Sequence, residues 1–302
     1  MHCPGGADLS RHDGRAVSAG DADEIARLDA ALQEWRQGDA TLEGGLFFVH
    51  LADKRLPLTA LARNSLEDAG EENVFDVLSS VRGLVVVTQS CDIVKPCAKA
   101  EYVEVSPLVH IGSDDEFYQI QKGRRSLYAY LPGLADRKLV VDLERTMTVE
   151  KAVVAKWTRF PGCATDEERV AFAEALARKR RRFAFPDGFN SGLAKFRGRL
   201  KDKEGKDSPE GRLISALDEI RAQARPNWGA SDVMVFFWFL LNPDQNIDFD
   251  ESRKTIESWM KLMALSAPFA VASPSFALVE QGDMTVRDYL TSHHLDYDEL
   301  SL

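Results

Sequence analysis

Thr88, Gln89, Ser90, Cys91 and Asp92 stand together directly after the apolar run Leu84 to Val87, so the residues best suited to chemistry cluster at the end of a buried strand. A cysteine beside an aspartate in such a place can act as a nucleophile, because the thiolate attacks and a neighbouring base or cation lowers its pKa. His50 and His110 are the histidines nearest to this region, and His110, just past the following strand, is placed to reach Cys91 across the ladder. The plainer alternative makes Cys91 a small buried hydrophobe and Asp92 a cap on the turn before Pro96.

A second chemistry is metal-independent cleavage of an RNA phosphodiester. It needs a cation to stabilise transition-state charge and a group to move the 2'-hydroxyl proton. Arg82 matches the cation, and Thr88, Ser90, Asp92 or His110 can assist. The competing role for Arg82 is a salt bridge with the acidic loop that carries Glu67, Asp68, Glu71 and Glu72. Cys91, Asp92, Cys97 and His110 have no recognised zinc spacing, so no metal and no cofactor is expected.

The basic run Arg178, Lys179, Arg180, Arg181 and Arg182 closes a helix, and Arg197 and Arg199 follow among Lys195, Lys201 and Lys203. Such a series can track a phosphate backbone, with Phe183, Phe185 and Phe189 stacking on bases. The bland alternative is a solvated face, with those aromatics anchoring a turn to the core. His293 and His294, near Asp296 and Asp298, read as a solvated turn.

These residues need elements to position them. Ile25, Leu28, Leu32 and Trp35 fall at helical spacing after Asp21, Asp23 and Glu24, which predicts a helix ending near Gln37. Leu46 to Leu51 reads as a short buried strand, followed by a long mobile acidic loop. After the paired strands Leu84–Val87 and Tyr102–Val105, the stretches Phe117 to Ile120 and Ser126 to Leu131 read as an antiparallel meander. Leu139 to Leu143 is a further strand, and Thr148 is the expected N-cap of a short helix. Several short strands of this kind suggest a small closed barrel or half-barrel.

Residues 166 to 183 form the clearest helix, acidic at its start and basic at its end, and a second helix runs from Leu193 to Leu200 into a charged linker. Beyond it, Ile214 to Ala224 reads as helix or strand and Val233 to Leu241 as a fully buried strand. Residues 251 to 265 form an amphipathic helix, and Phe269 to Val279 is extended. This order suggests an α+β domain packed on one sheet.

The order Gly38-Asp39, Arg82 leading into LVVVT, YVEVSPLV, and VVDLERTMTVEKAVV resembles the MazF/PemK toxin family, with Arg145, Thr146, Val149 and Lys151 carrying the most specific part. The pattern is also similar to a group of uncharacterised bacterial proteins with a SQxCDI box. The resemblance covers about residues 36 to 157 and implies an SH3-like barrel. It departs at Gly83, where the family has proline, and at Val109, near the place of the family's catalytic Thr or Ser. The resulting expectation is an α+β chain: a disordered segment 1–24, an SH3-like barrel with a leading helix over 25–160, a basic helical segment over 161–208, and an α+β domain over 209–302.

With 302 residues and 44% hydrophobic content the chain is long enough for two domains. Its net charge of −10 excludes a protein that coats nucleic acid with its whole surface, though not a local basic patch. The most apolar run, Val233 to Leu241, is about half the ~18 residues of a membrane span. No secretory signal is expected, and the four scattered cysteines fit reduced thiols, so the cytoplasm is the expected location. The functional expectation is a non-catalytic or weakly catalytic module of a bacterial defence or mobile-element system. Its partners would be RNA, DNA or a protein from the same gene cluster. The alternatives are a toxin-like endoribonuclease using Arg82 and the 88–92 box, and a Cys91-dependent enzyme.

Overall fold

The computed structural model describes residues 19–67, 70–181, 183–242 and 247–295. Most of the segment expected to be disordered lies outside them, but Ala19 to Glu24 open a helix, because the acidic residues begin α1 rather than precede it. The elements run α1 (Ala19–Leu32), β1 (Ala40–Thr41), β2 (Phe47–Asp53), α2 (Ala60–Asn64), β3 (Val74–Ser80), β4 (Leu84–Val86), α3 (Ser90–Ile93) and β5 (Tyr102–His110). Next come α4 (Asp114–Gln121), β6 (Tyr128–Ala129), β7 (Leu139–Asp142), β8 (Met147–Glu150), α5 (Lys151–Val154) and α6 (Asp166–Arg180). The chain continues with α7 (Asp187–Gly192), α8 (Ala194–Lys203), α9 (Pro209–Ala216), β9 (Leu217–Arg225), β10 (Val233–Leu241), α10 (Phe249–Met260), β11 (Phe269–Glu280), α11 (Val286–Thr291) and β12 (His293–His294).

The fold is mixed α+β, and no sheet closes into a barrel among the described residues. Two compact units divide the chain: residues 1–112 with 130–173, and residues 113–129 with 174–302. This division differs from the expected boundaries at 160 and 208. It falls inside α6, and it sends the excursion 113–129 to the second unit.

The first unit is built on an antiparallel sheet in the order β1-β4-β5-β7, with β8 also paired to β5. Leu84, Val85 and Val86 are all buried, as a short continuous apolar run demands of a central strand. Leu32 at the end of α1 and Trp35 just beyond it pack with Leu84, Val86, Ile93, Val103, Val105 and Val154. Gly83 is required by close approach, because a Cβ there would lie 2.6 Å from the Thr41 carbonyl oxygen and 2.8 Å from Leu108 Cδ1. The family's proline has no room at this point.

Three local readings are corrected. Phe117 to Ile120 belongs to helix α4, since the Ser113 hydroxyl accepts from the Glu116 amide and Asp114, Asp115 and Glu116 fill the first turn. The expected meander shrinks to the two-residue strand β6. Past the acidic residues the chain forms a strand that was not expected, β3, which pairs with β2 over its whole length, from Phe47↔Ser80 to Asp53↔Val74. Thr148 lies within β8, and Glu150 occupies the N-cap position of α5.

The second unit sets one face of a sheet in the order β11-β10-β9-β12 against helices α7 to α10. β10 is antiparallel to β9 and parallel to β11. Val233, Val235, Phe237 and Phe239 face the helices, whereas Met234, Phe236 and Trp238 alternate to the other side, so β10 is not buried on both faces as expected. Ile214 to Ala224 is both helix and strand: Ser208 caps α9, which ends at Ala216, and β9 starts immediately. His293 and His294 form β12 on β9 instead of a solvated turn.

Candidate functional site

At the end of β4 the polar residues are spent on tying the chain together. The Val87 amide donates to the Glu104 carbonyl at 3.0 Å, and Thr88 Oγ1 accepts from the Glu104 amide at 2.6 Å. Ser90 Oγ accepts from the Gln37 amide at 3.0 Å, while Gln37 Nε2 donates to the Val87 carbonyl at 2.8 Å. The chain then enters α3, whose Ile93 is buried.

Lys151 holds the far end of that turn. Its side chain is buried, and its ammonium donates to the carbonyls of Asp92 at 2.8 Å and Lys95 at 2.7 Å. Burial lowers its pKa below the usual lysine value, against the opposing pull of Cys97, Asp29 and Asp92. Asp29 accepts from the Cys97 amide at 2.8 Å. Burial, followed by the hydrogen bond that the thiol donates to Asp29, pushes Cys97 up to about 11. Sequence reasoning noted Lys151 only as part of a family segment and missed Asp29. No local pattern marks either, because their partners lie 56 to 68 residues away.

Cys91 itself is exposed, so it is not the small buried hydrophobe of the plainer reading, and its Sγ lies 3.8 Å from Gln89 Oε1. Asp92 does not cap the turn. It pairs with Lys95 at 2.5 Å, with both side chains partly open to solvent.

The strand register separates the remaining candidates. Leu84 faces Pro107, Val85 faces Ser106 and Val86 faces Val105, so the same register carries Arg82 to the level of Val109, next to His110. Thr88 is bonded to Glu104, six residues back along β5, and at ~3.3 Å per residue this is about 20 Å of strand. Arg82 and His110 therefore sit at one end of the β4–β5 ladder, and Thr88, Ser90, Cys91 and Asp92 sit at the other. His110 pairs with Leu139 and His50 with Val77, so neither of these histidines is carried to Cys91 across the ladder. Arg82 is exposed and has no ion-pair or hydrogen-bond partner among the described residues, so it makes no bridge to Glu67, Glu71 or Glu72, while Asp68 lies outside the described residues.

Gly38 and Asp39, the first segment of the family pattern, are structural too. Gly38 has φ of +90°, and a Cβ there would press on Cys163 and Phe172 at 3.2 Å. Asp39 is buried, accepts from the Arg36 amide at 2.8 Å and pairs with Arg159 at 3.0 Å.

The basic series is divided in a similar way. Arg178 donates to the Gly123 carbonyl, Lys179 is half-buried, and Arg180 and Arg181 are exposed, while Arg182 lies outside the described residues. Arg197 is buried, donates to Asn190 Oδ1 at 2.8 Å, and is lowered to about 10 by desolvation. Arg199 makes a two-pronged pair with Glu210 at 2.9 and 2.7 Å, and Glu210 also accepts from Trp259 Nε1 at 2.9 Å. Arg197 and Arg199 thus serve the fold and are not placed for phosphate. Phe185 and Phe189 are core residues, and Phe183 stacks on His293 at 3.8 Å, so these rings are not a platform for bases.

Two surfaces were not anticipated. A polar groove of about 530 Å³ in the second unit is lined by Asp115, Glu116, Arg125, Tyr128, Lys201 and Glu204, among others, and Glu204 is already paired with Arg124 at 3.2 Å. The β2–β3 hairpin presents one apolar face to solvent. Its other face carries Phe75 and Val77, which pack on Ala62 of α2. Leu51 and Leu78 on the open face are 73% and 52% exposed, and Phe47, Val49 and Val74 lie beside them.

No protein family, curated protein or solved structure matches this chain.

Proposed function

We propose that this chain is a non-catalytic binding module that works through protein contact, in a bacterial defence or mobile-element system. One observation carries the reading: the β4–β5 register holds Arg82 and His110 about 20 Å from the 88–92 box. A nucleophile, its base and its charge-stabilising cation have to meet within hydrogen-bond reach, and these groups do not. Protein is favoured over nucleic acid because two of the expected phosphate ligands, Arg197 and Arg199, are engaged within the fold, and the net charge is −10. The open hairpin face supplies apolar surface of the kind that marks contact sites.

The likeness to the PemK barrel belongs to this proposal. Its support is β5, which pairs with β8 and β4 through its first part and with β7 through its last, as a long strand does when it bends between two sides of a small barrel. The reading keeps the barrel as scaffold, and the cytoplasm as its place of work.

The test is incubation of the full chain with a labelled RNA pool, without added metal and beside Arg82→Ala. The expected result is intact RNA in both samples and no salt-sensitive shift at physiological ionic strength. Cleavage by the wild type alone would overturn the reading and restore the endoribonuclease.

A further inference from the structure

The polar groove of the second unit brings acid from one helix and base from another into one space. α4 contributes Asp115, Glu116 and Gln119, and α8 with its C-cap contributes Lys201 and Glu204. Residues three or four apart share a helix face, so Gln119 continues the row of Asp115 and Glu116, and Glu204 continues that of Lys201. Leu127 and Tyr128, where the chain enters β6, add apolar surface, and the volume of about 530 Å³ lies in the range of small-molecule sites.

Arg124 decides which of these groups are spent. Its guanidinium donates to Glu204 Oε1 at 3.2 Å, to Gln119 Oε1 at 3.4 Å and to the Ile214 carbonyl at 3.0 Å. Glu204 is thereby neutralised, which leaves Lys201 as the cation that α8 offers. Gln119 is 3% exposed, and with its oxygen turned to Arg124 its amide nitrogen is turned away from it. That nitrogen has no hydrogen-bond partner among the described residues. A buried donor left unpaired is costly, and a carbonyl entering the groove would satisfy it. The side chains of Asp115, Glu116 and Lys201 also make no ion pair or hydrogen bond among the described residues, whereas Arg125, likewise in the lining, is already engaged.

We infer that this groove binds a short peptide by its two free ends. The ammonium meets Asp115 and Glu116, the carboxylate meets Lys201, and Gln119 Nε2 donates to a peptide carbonyl between them. A ligand of one sign fits poorly: an anion such as phosphate faces two carboxylates, and a polyamine faces Lys201 and finds no acceptor in the Gln119 amide nitrogen. A zwitterion with a carbonyl between its charges satisfies all of these groups. The groove is separate from the hairpin face, and the inference does not rest on the reading of that face as a contact surface.

The experiment is isothermal titration calorimetry of the full chain with the tripeptides Ala-Phe-Ala and Ala-Leu-Ala at up to about 10 mM, each also N-acetylated or C-amidated. The free tripeptides are expected to bind, and either block to weaken them by at least about tenfold, the worth of one charge-assisted contact. Lys201→Met should weaken the free peptides by about tenfold and leave the amidated ones unchanged, since an amide brings no charge to that position. Lys201 is exposed, so this variant keeps the fold. No binding of either tripeptide at the highest concentration, or binding indifferent to both blocks, would overturn the inference. Loss on acetylation with none on amidation would overturn it too, in favour of a cation site.

Discussion

Burial sets the cysteines apart. Desolvation pushes the thiols of Cys97 and Cys163 up to about 11, with the hydrogen bond donated to Asp29 adding at Cys97 and the charge of Glu168 adding at Cys163. A thiol whose folded pKa is raised contributes stability below its unfolded value, and that contribution is lost as pH rises through the folded one. For Cys163, 2% exposed, the window runs from 9.0 to about 11. Urea titrations at stepped pH across it should show stability falling, with Cys163 supplying at most about 2–3 kcal/mol of the loss. The Cys163→Ala variant should fall less steeply, and equal slopes in the two proteins would count against the raised thiol. Single residues were the hardest part of the site to read in the sequence. The 88–92 box is legible as a polar cluster after an apolar run, but its hydroxyls accept from the Gln37 and Glu104 amides. Only the fold brings those donors to them.

Strands β4, β5 and β7 could be read from composition, because Leu84–Val86, Val103, Val105 and Leu139–Val141 are apolar and buried together. Helix α4 could not, since Phe117, Tyr118 and Ile120 have strand character that the Ser113 cap and three acids override. β3 was hidden by its acidic approach, although Phe75 and Val77 alternate with exposed neighbours as a half-buried strand requires. The departure at Gly83 has an element-level cause, the close crossing of β4 by the Thr41 carbonyl of β1. Gly83→Ala should therefore destabilise the chain by about 1–3 kcal/mol, since backbone cannot yield as a side chain can. Gly44→Ala is the control, because a Cβ there meets nothing within 4 Å. Urea midpoints of the two variants decide the matter, and a Gly83→Ala protein as stable as the control would refute the crowding.

At the scale of the whole chain, composition anticipated two folded parts but placed the boundary at a charged linker, which instead joins α8 to α9 within the second unit. The reason is that Arg124 from the excursion 113–129 reaches the Ile214 carbonyl at 3.0 Å and Glu204 at 3.2 Å, contacts between residues at least 80 positions apart that leave no local trace. Each unit has its own core, one around Trp35, Leu84 and Val105, the other around Phe189, Phe237 and Trp259. A chain with two cores need not unfold in one step. Hydrogen exchange read by mass spectrometry at rising urea separates the two. Peptides covering 84–87 and 103–108 should lose protection at one midpoint, and those covering 217–222 and 235–241 at another. One shared midpoint for all peptides would mean that the two cores unfold as a single cooperative body.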